Sequence, residues 1–252
     1  MENNMINFIV APDFPPDHLA GWHLVNTQLQ QFLKMPVHMV AAQSSTEQAE
    51  LIAQETIDII YANPFDAATL VREQGFLAVA KPVGHSDEVI IASAKDTSIQ
   101  KLTDIKPGMT IGLTKNYDIK LIGLRLLEAA NLTEQDIQFS EIQSFQAVAR
   151  ALLQHRIDVG FFVASAYKNL SHLTHSQTNV LIESHLADIT HVLLIHPKYG
   201  KYLSHFKHFF TDLKNNEKGL RILTELHFPE GFQAMEQEEA EFMIDLMDTL
   251  LD

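Results

Sequence analysis

Short apolar runs bounded by turn residues alternate along this chain with longer stretches in which apolar positions recur every three or four residues. The run at 6–11, INFIVA, reads as a strand buried on both faces. It ends at Pro12, and Pro15 and Pro16 keep the next loop extended. Asp17 is placed to cap a helix over 18–33, where Leu19, Trp22, Leu24, Val25, Leu29 and Phe32 fall mostly three or four apart. Residues 37–41 predict a second strand. Ser45 followed by Gln48 has the capping-box pattern and predicts a further helix. Residues 57–62, IDIIYA, predict a third strand, and Asn63-Pro64 opens a helix with proline in the permitted first turn.

This βαβαβα order implies parallel strands with right-handed crossovers. The rhythm breaks at 76–83 and 88–94, two strands with no helix between them. It resumes with a strand at 109–113, a helix at 118–130, a strand at 137–141, a helix at 145–155 and a strand at 159–163. Strands at 180–182 and 192–195 follow, and the remainder reads as helix. The chain therefore holds two α/β units similar in element order, though not in sequence. Lobe one is expected from 1–84 with 190–252, and lobe two from 85–189. Two passages join them, KPVGHSDEV at 81–89 and ESHLADITHV at 183–192, which predicts a two-stranded hinge and an intervening cleft. Ligands of open α/β sheets sit beyond the carboxyl ends of the strands. The terminal EQEEAEFMIDLMDTLLD places Ala240, Phe242, Met243, Leu246, Met247 and Leu250 on one stripe, a helix expected to dock on lobe one.

Charge and composition narrow the function. The net charge is −14, from 18 basic and 32 acidic side chains among 252 residues, which argues against a nucleic-acid partner. It leaves room for a small anion held by local N–H donors. There is no cysteine, so disulfides and thiolate chemistry are excluded. No apolar stretch is long enough to span a membrane, and MENNMINFIV lacks the basic start of a signal peptide. As it stands the sequence reads as cytoplasmic; it would be periplasmic had a signal been removed. No GxSxG, GxGxxG or P-loop run occurs, so hydrolase and nucleotide-fold readings lack support. His172 and His175, and His205 and His208, have a spacing that permits metal binding, but no third ligand accompanies them. No metal, cofactor or catalytic residue is expected.

IDIIYANPFDAATLVREQGF, HSDEVIIASAKDTSIQKLTDIKPGMTIGL and QSFQAVARALLQHRIDVGFFVASAY together resemble the PhnD-like phosphate, phosphite and phosphonate-binding proteins of ABC transporters. The similarity lies in Ile57 to Ala67, His85 to Ile91, Lys101 to Leu113 and Arg156 to Phe161, and extends over roughly residues 5 to 200. It implies the type 2 periplasmic-binding-protein fold, two α/β lobes closing by hinge bending on a small molecule. The partners it implies are a transporter's membrane component or a sensor protein, with no membrane insertion. Two other functions share the fold: a cytoplasmic enzyme of the menaquinone or thiamine-pyrimidine biosynthesis type, and a ligand-sensing regulatory module.

The expected ligand-binding residues are Asp13 and Phe14 after the first strand, then Asn63, Phe65 and Asp66 at a helix start. His85 and Ser86 on the linker join them. In the second lobe the set is Asn116, Tyr117 and Asp118, then Ser144 and Phe145, then Ser165. Asp66, Asp118 and Ser144 are equally suited to serve only their own helix N-termini. The family places a Ser-Thr-Ser-Gly run where this chain has Asn116-Tyr117-Asp118, and Phe145 stands where a histidine donor is usual. An ionised aspartate repels a phosphonate dianion. The aromatic and acidic set suits a ligand with a ring or a cationic amine, and the ligand is expected not to be a simple phosphonate.

Overall fold

The computed structural model describes residues 5–12, 18–42, 45–54, 56–85, 87–184 and 189–251. In chain order the elements are β1 (Ile6–Val10), α1 (Leu19–Leu33), β2 (Val37–Ala41), α2 (Ser45–Ala53), β3 (Ile59–Ala62), α3 (Pro64–Gln74) and β4 (Leu77–Pro82). Then come β5 (Val89–Ala94), β6 (Thr110–Leu113), α4 (Tyr117–Glu128), β7 (Gln138–Glu141), α5 (Phe145–Leu153), β8 (Val159–Val163), α6 (Ala164–Lys168), α7 (His172–Gln177) and β9 (Thr178–Glu183). The chain ends with β10 (Val192–Ile195), α8 (Leu203–Asp212), α9 (Glu217–Glu225), β11 (Phe232–Ala234) and α10 (Gln237–Leu251). It divides into two compact units, Met1–His85 with Thr190–Asp248, and Ser86–Ile189 with Thr249–Asp252.

The first unit is a six-stranded sheet in the order β11-β4-β10-β3-β1-β2. β1 pairs in parallel with both β2 and β3, and β10 runs antiparallel between β3 and β4. Side chains alternate across a strand, so the neighbours Phe8 and Ile9 enter different cores. Phe8 joins Trp22 of α1, Phe206 and Phe210 of α8 and Leu223 of α9. Ile9 joins Leu70 of α3 with Met243 and Ile244 of α10. The helix α3 is locally well specified. Asn63 accepts from Asp66 N, Pro64 needs no partner for an absent N–H, and Gly75 ends the helix at φ 70°, in the left-handed region.

The second unit is a five-stranded sheet ordered β7-β6-β8-β5-β9. β6 is parallel to β7 and β8, while β5 is antiparallel to β8 and β9. Phe162 packs on one face with Val148 and Leu152 of α5. Phe161 lies under α4, so close to Gly123 that a Cβ there would stand 2.2 Å from the ring.

Several expectations need correction. The fully buried Gln48 does not complete a capping box; its Nε2 donates to the Asp66 carboxylate. The third strand starts two residues later than expected, because Asp58 is turned inward to accept from Asn7 N at 2.8 Å and to pair with Lys198 at 2.5 Å. The tail is not all helix: β11 pairs antiparallel with β4. On α10, Phe242 is 58% exposed and Ile244 takes the buried position instead. The expected cap Asp17 lies outside the described residues, and α1 begins after His18 without a side-chain cap bond. Among the described residues no helix is long and apolar enough to cross a membrane.

Candidate functional site

The expected site residues that are described lie, in each unit, at the carboxyl ends of its parallel strands. In the first unit, β3 leads into α3 through Asn63. Asn63 Oδ1 accepts from Asp66 N at 2.9 Å, and Asn63 Nδ2 donates to the Asp66 carboxylate at 2.9 Å. With Gln48 also donating to it, Asp66 is held by both α2 and α3. Phe65 is half-buried beside it.

A ring cluster stands at the same end of that sheet. Tyr61 lies 4.5 Å from Trp22 and 5.2 Å, stacked, from His191, which immediately precedes β10. His85 sets its ring edge-on to Phe228 at 4.7 Å, and its carbonyl accepts from Thr190 Oγ1 at 2.9 Å. Of these residues only His85 was singled out from sequence. His191 lay within the quoted return passage, but nothing local to it pointed to Tyr61. Asp13, Phe14 and Ser86 lie outside the described residues.

In the second unit, β6 leads into α4. Asn116 caps the helix, its Oδ1 accepting from Ile119 N at 3.1 Å. Asp118 is only 2% exposed in the first turn. Tyr117 is the first helical residue. After β7, Ser144 caps α5 by accepting from Ala147 N at 3.2 Å, and half-buried Phe145 puts its ring 6.3 Å from Phe162. Ser165 is exposed on the short α6. Tyr167, which follows, is buried with its hydroxyl 2.7 Å from Thr178 Oγ1.

Glu88 and Ser184 of this unit carry no local sequence signal that marks them as functional. Both are buried, at the start of β5 and just past β9, and Ser184 Oγ donates to the Glu88 carboxylate. Elsewhere, a depression of about 250 Å³ on the first unit is lined by Leu33, Met35, Tyr199, Tyr202 and Phe206, and touches none of the expected residues. Burial, followed by Asp58, raises the Tyr199 pKa there. Among the described residues no group of three or more His, Cys, Asp or Glu side chains is arranged to hold a metal ion.

The family model for the periplasmic substrate-binding proteins of phosphonate ABC transporters matches residues 8–240. No curated protein matches this chain. Among solved structures, PhnD1 from Prochlorococcus marinus in complex with methylphosphonate is similar at TM-score 0.79 and 12% identity, over 99% of both chains. A binding protein component of an ABC phosphonate transporter from Pseudomonas aeruginosa is similar at TM-score 0.75 and 17% identity, over 99% of this chain and 86% of that one. The periplasmic aliphatic sulphonate binding protein SsuA from Escherichia coli is similar at TM-score 0.65 and 16% identity, over 98% of this chain and 92% of that one. At these identities the likeness shows the fold.

Proposed function

The chain belongs to the periplasmic substrate-binding proteins of phosphonate ABC transporters, and from that membership we propose that it delivers a small solute other than a simple phosphonate dianion. Its role is recognition and hand-over to a membrane component rather than turnover. The periplasm of the family's description is the compartment in which it acts.

The start of α4 carries the reading. A helix N-terminus binds anions through N–H groups left without partners. Here Asn116 already occupies the Ile119 N–H, and the buried Asp118 brings a carboxylate into the same turn. Two unit charges at about 4 Å interact by roughly 4 kcal/mol at an effective dielectric near 20. An anion beside an ionised Asp118 meets that as repulsion, and a cation as attraction. The start of α3 repeats the arrangement with Asn63 and Asp66.

Asn116, Tyr117, Asp118, Ser144, Phe145 and Ser165 are the ligand-contacting residues we assign to the second unit. Asn63, Phe65, Asp66 and His85, with Asp13 and Phe14, are those of the first, and Ser86 on the linker completes the set. Rings and carboxylates in this proportion suit an amine or an aromatic zwitterion.

A thermal-shift comparison tests the proposal, since a ligand that binds only the folded state raises the midpoint by mass action. Methylphosphonate and inorganic phosphate at millimolar concentration are expected to leave the midpoint unchanged, while members of a panel of amines and aromatic amino acids raise it. Saturable stabilisation by methylphosphonate alone would overturn the proposal.

A further inference from the structure

Glu88 is a buried carboxylate that meets no cation among the described residues. It is 8% exposed, and its backbone carbonyl accepts from Ala164 N at 2.7 Å, which fixes it beside the carboxyl end of β8. Its side chain accepts from Ser184 Oγ, and that oxygen accepts in turn from Val89 N at 2.9 Å. Among the described residues no lysine, arginine or histidine pairs with it.

Removing a carboxylate from water costs several kcal/mol unless an opposite charge or several donors meet it. Strand pairing does not require this one. Val89 N is satisfied by Ser184 Oγ, and Ser184 N donates to Val89 O at 2.9 Å. An alanine at 88 would leave the β5–β9 junction bonded. The hydroxyl instead acts on the carboxylate: Val89 N orients Ser184 Oγ, whose proton then holds one Glu88 oxygen in place. A carboxylate has about four acceptor positions, so about three remain.

Location gives those positions a use. β5 and β6 flank β8. Neighbouring strands are about 4.8 Å apart, so the starts of β5 and α4 are separated by about 10 Å along the sheet edge. Asp118 stands at one end of that span and Glu88 at the other, both belonging to the second unit.

We infer that Glu88 receives the cationic nitrogen of the transported solute, which is therefore a primary amine. An ammonium brings three donors to a carboxylate with open acceptor positions and supplies the opposite charge that no described residue does. The inference rests on the solute-binding reading above and names the chemical class of the solute.

The whole protein is titrated by calorimetry and thermal shift with butylamine, phenethylamine, glycine and methylphosphonate, beside Glu88→Gln, Glu88→Asp and Ser184→Ala. Glutamine keeps the shape and the acceptor for Ser184 while removing the charge. An amine is expected to bind the wild type, and Glu88→Gln to weaken it by about thirtyfold or more, since truncating a buried hydrogen-bonded charge pair loses at least that much. The unliganded midpoint stays unchanged, and Glu88→Asp retains part of the affinity. Amine binding that survives Glu88→Gln within about twofold overturns the inference and leaves the solute-binding reading intact. So does failure of every amine to bind. Where Glu88→Gln lowers the unliganded midpoint, Ser184→Ala decides. Retained amine binding supports the inference; binding and midpoint lost together in both variants give Glu88 a structural role and overturn it. Methylphosphonate binding that is tighter than that of any amine and indifferent to Glu88→Gln sinks the functional reading itself.

Discussion

At Gly123, α4 meets its sheet through the absence of a side chain. The Phe161 ring occupies the space a Cβ would take, 2.2 Å away. Gly123→Ala therefore forces the ring or the helix to move, and overpacking of this kind costs about 1–3 kcal/mol. The expected result is a lower urea midpoint for the variant, with much of the loss recovered when Phe161→Leu makes room; a Gly123→Ala variant as stable as the wild type would show that α4 does not close on β8 as described. Glycine in a helix was visible in the sequence, but the need for it was not, because the ring that demands it lies in a strand at residue 161. Glu88 was illegible for the same reason. A glutamate ahead of VIIASA reads as the polar boundary of a strand, and the hydroxyl that holds it belongs to Ser184, just past another strand. The cap of α5 was legible in Ser144, which accepts from Ala147 N, and Asn63-Pro64 marked the start of α3; at α4 the sequence offered Asp118 as the cap, and it is Asn116, two residues earlier, that accepts from Ile119 N.

Among the elements, those carried by local periodicity were legible and those made by distant pairing were not. The parallel strands and the helices between them follow from apolar runs and caps. β11 is a three-residue strand that exists because Phe232, Gln233 and Ala234 find Pro82, Lys81 and Ala80 across the sheet. The α10 stripe misplaced Phe242 because its six-residue apolar set was wider than the buried face, and Ile244 fits that face instead. The start of α10 also sets a pH dependence. Glu239 accepts from Glu236 N at 2.8 Å and pairs with Lys81 at 3.3 Å; the backbone bond first, and the lysine after it, hold its pKa below the ordinary 4.5. A depressed carboxylate contributes stability that is complete above its unfolded value and is lost as pH falls through its folded one. The side chain is 45% exposed, which keeps the contribution near about 0.5 kcal/mol. Glu239→Gln is expected to lower stability by about that amount at neutral pH, with the gap to wild type closing as urea melts are repeated at pH values progressively below 4.5. A gap that persists undiminished in acid would assign the effect to packing.

Across the whole molecule, chain order decides which unit completes itself. Every strand of the second sheet lies between Val89 and Glu183. The first sheet is interrupted: β10, buried at every position, lies between β3 and β4 but is made only after residue 189. Until it arrives, β3 and β4 have no strand between them, and the cores on both faces lack Leu193 and Leu194. The helices α8, α9 and α10, which cover those faces, come later still. A fragment of residues 86–189 is therefore expected to fold alone, with dispersed amide resonances and one cooperative urea transition. A fragment of residues 1–85 should show neither, although it contains the βαβαβα pattern that was plainest in the sequence. Cooperative folding of 1–85 would mean that β1, β2 and β3 with their helices bury enough apolar surface by themselves and that β10 only extends a finished sheet. The expected order, in which the inserted unit forms first and the enclosing one waits for the end of the chain, follows from burial: a sheet missing a central strand exposes both its edges and its core residues, and about 25 cal/mol per Å² of apolar surface is then not gained.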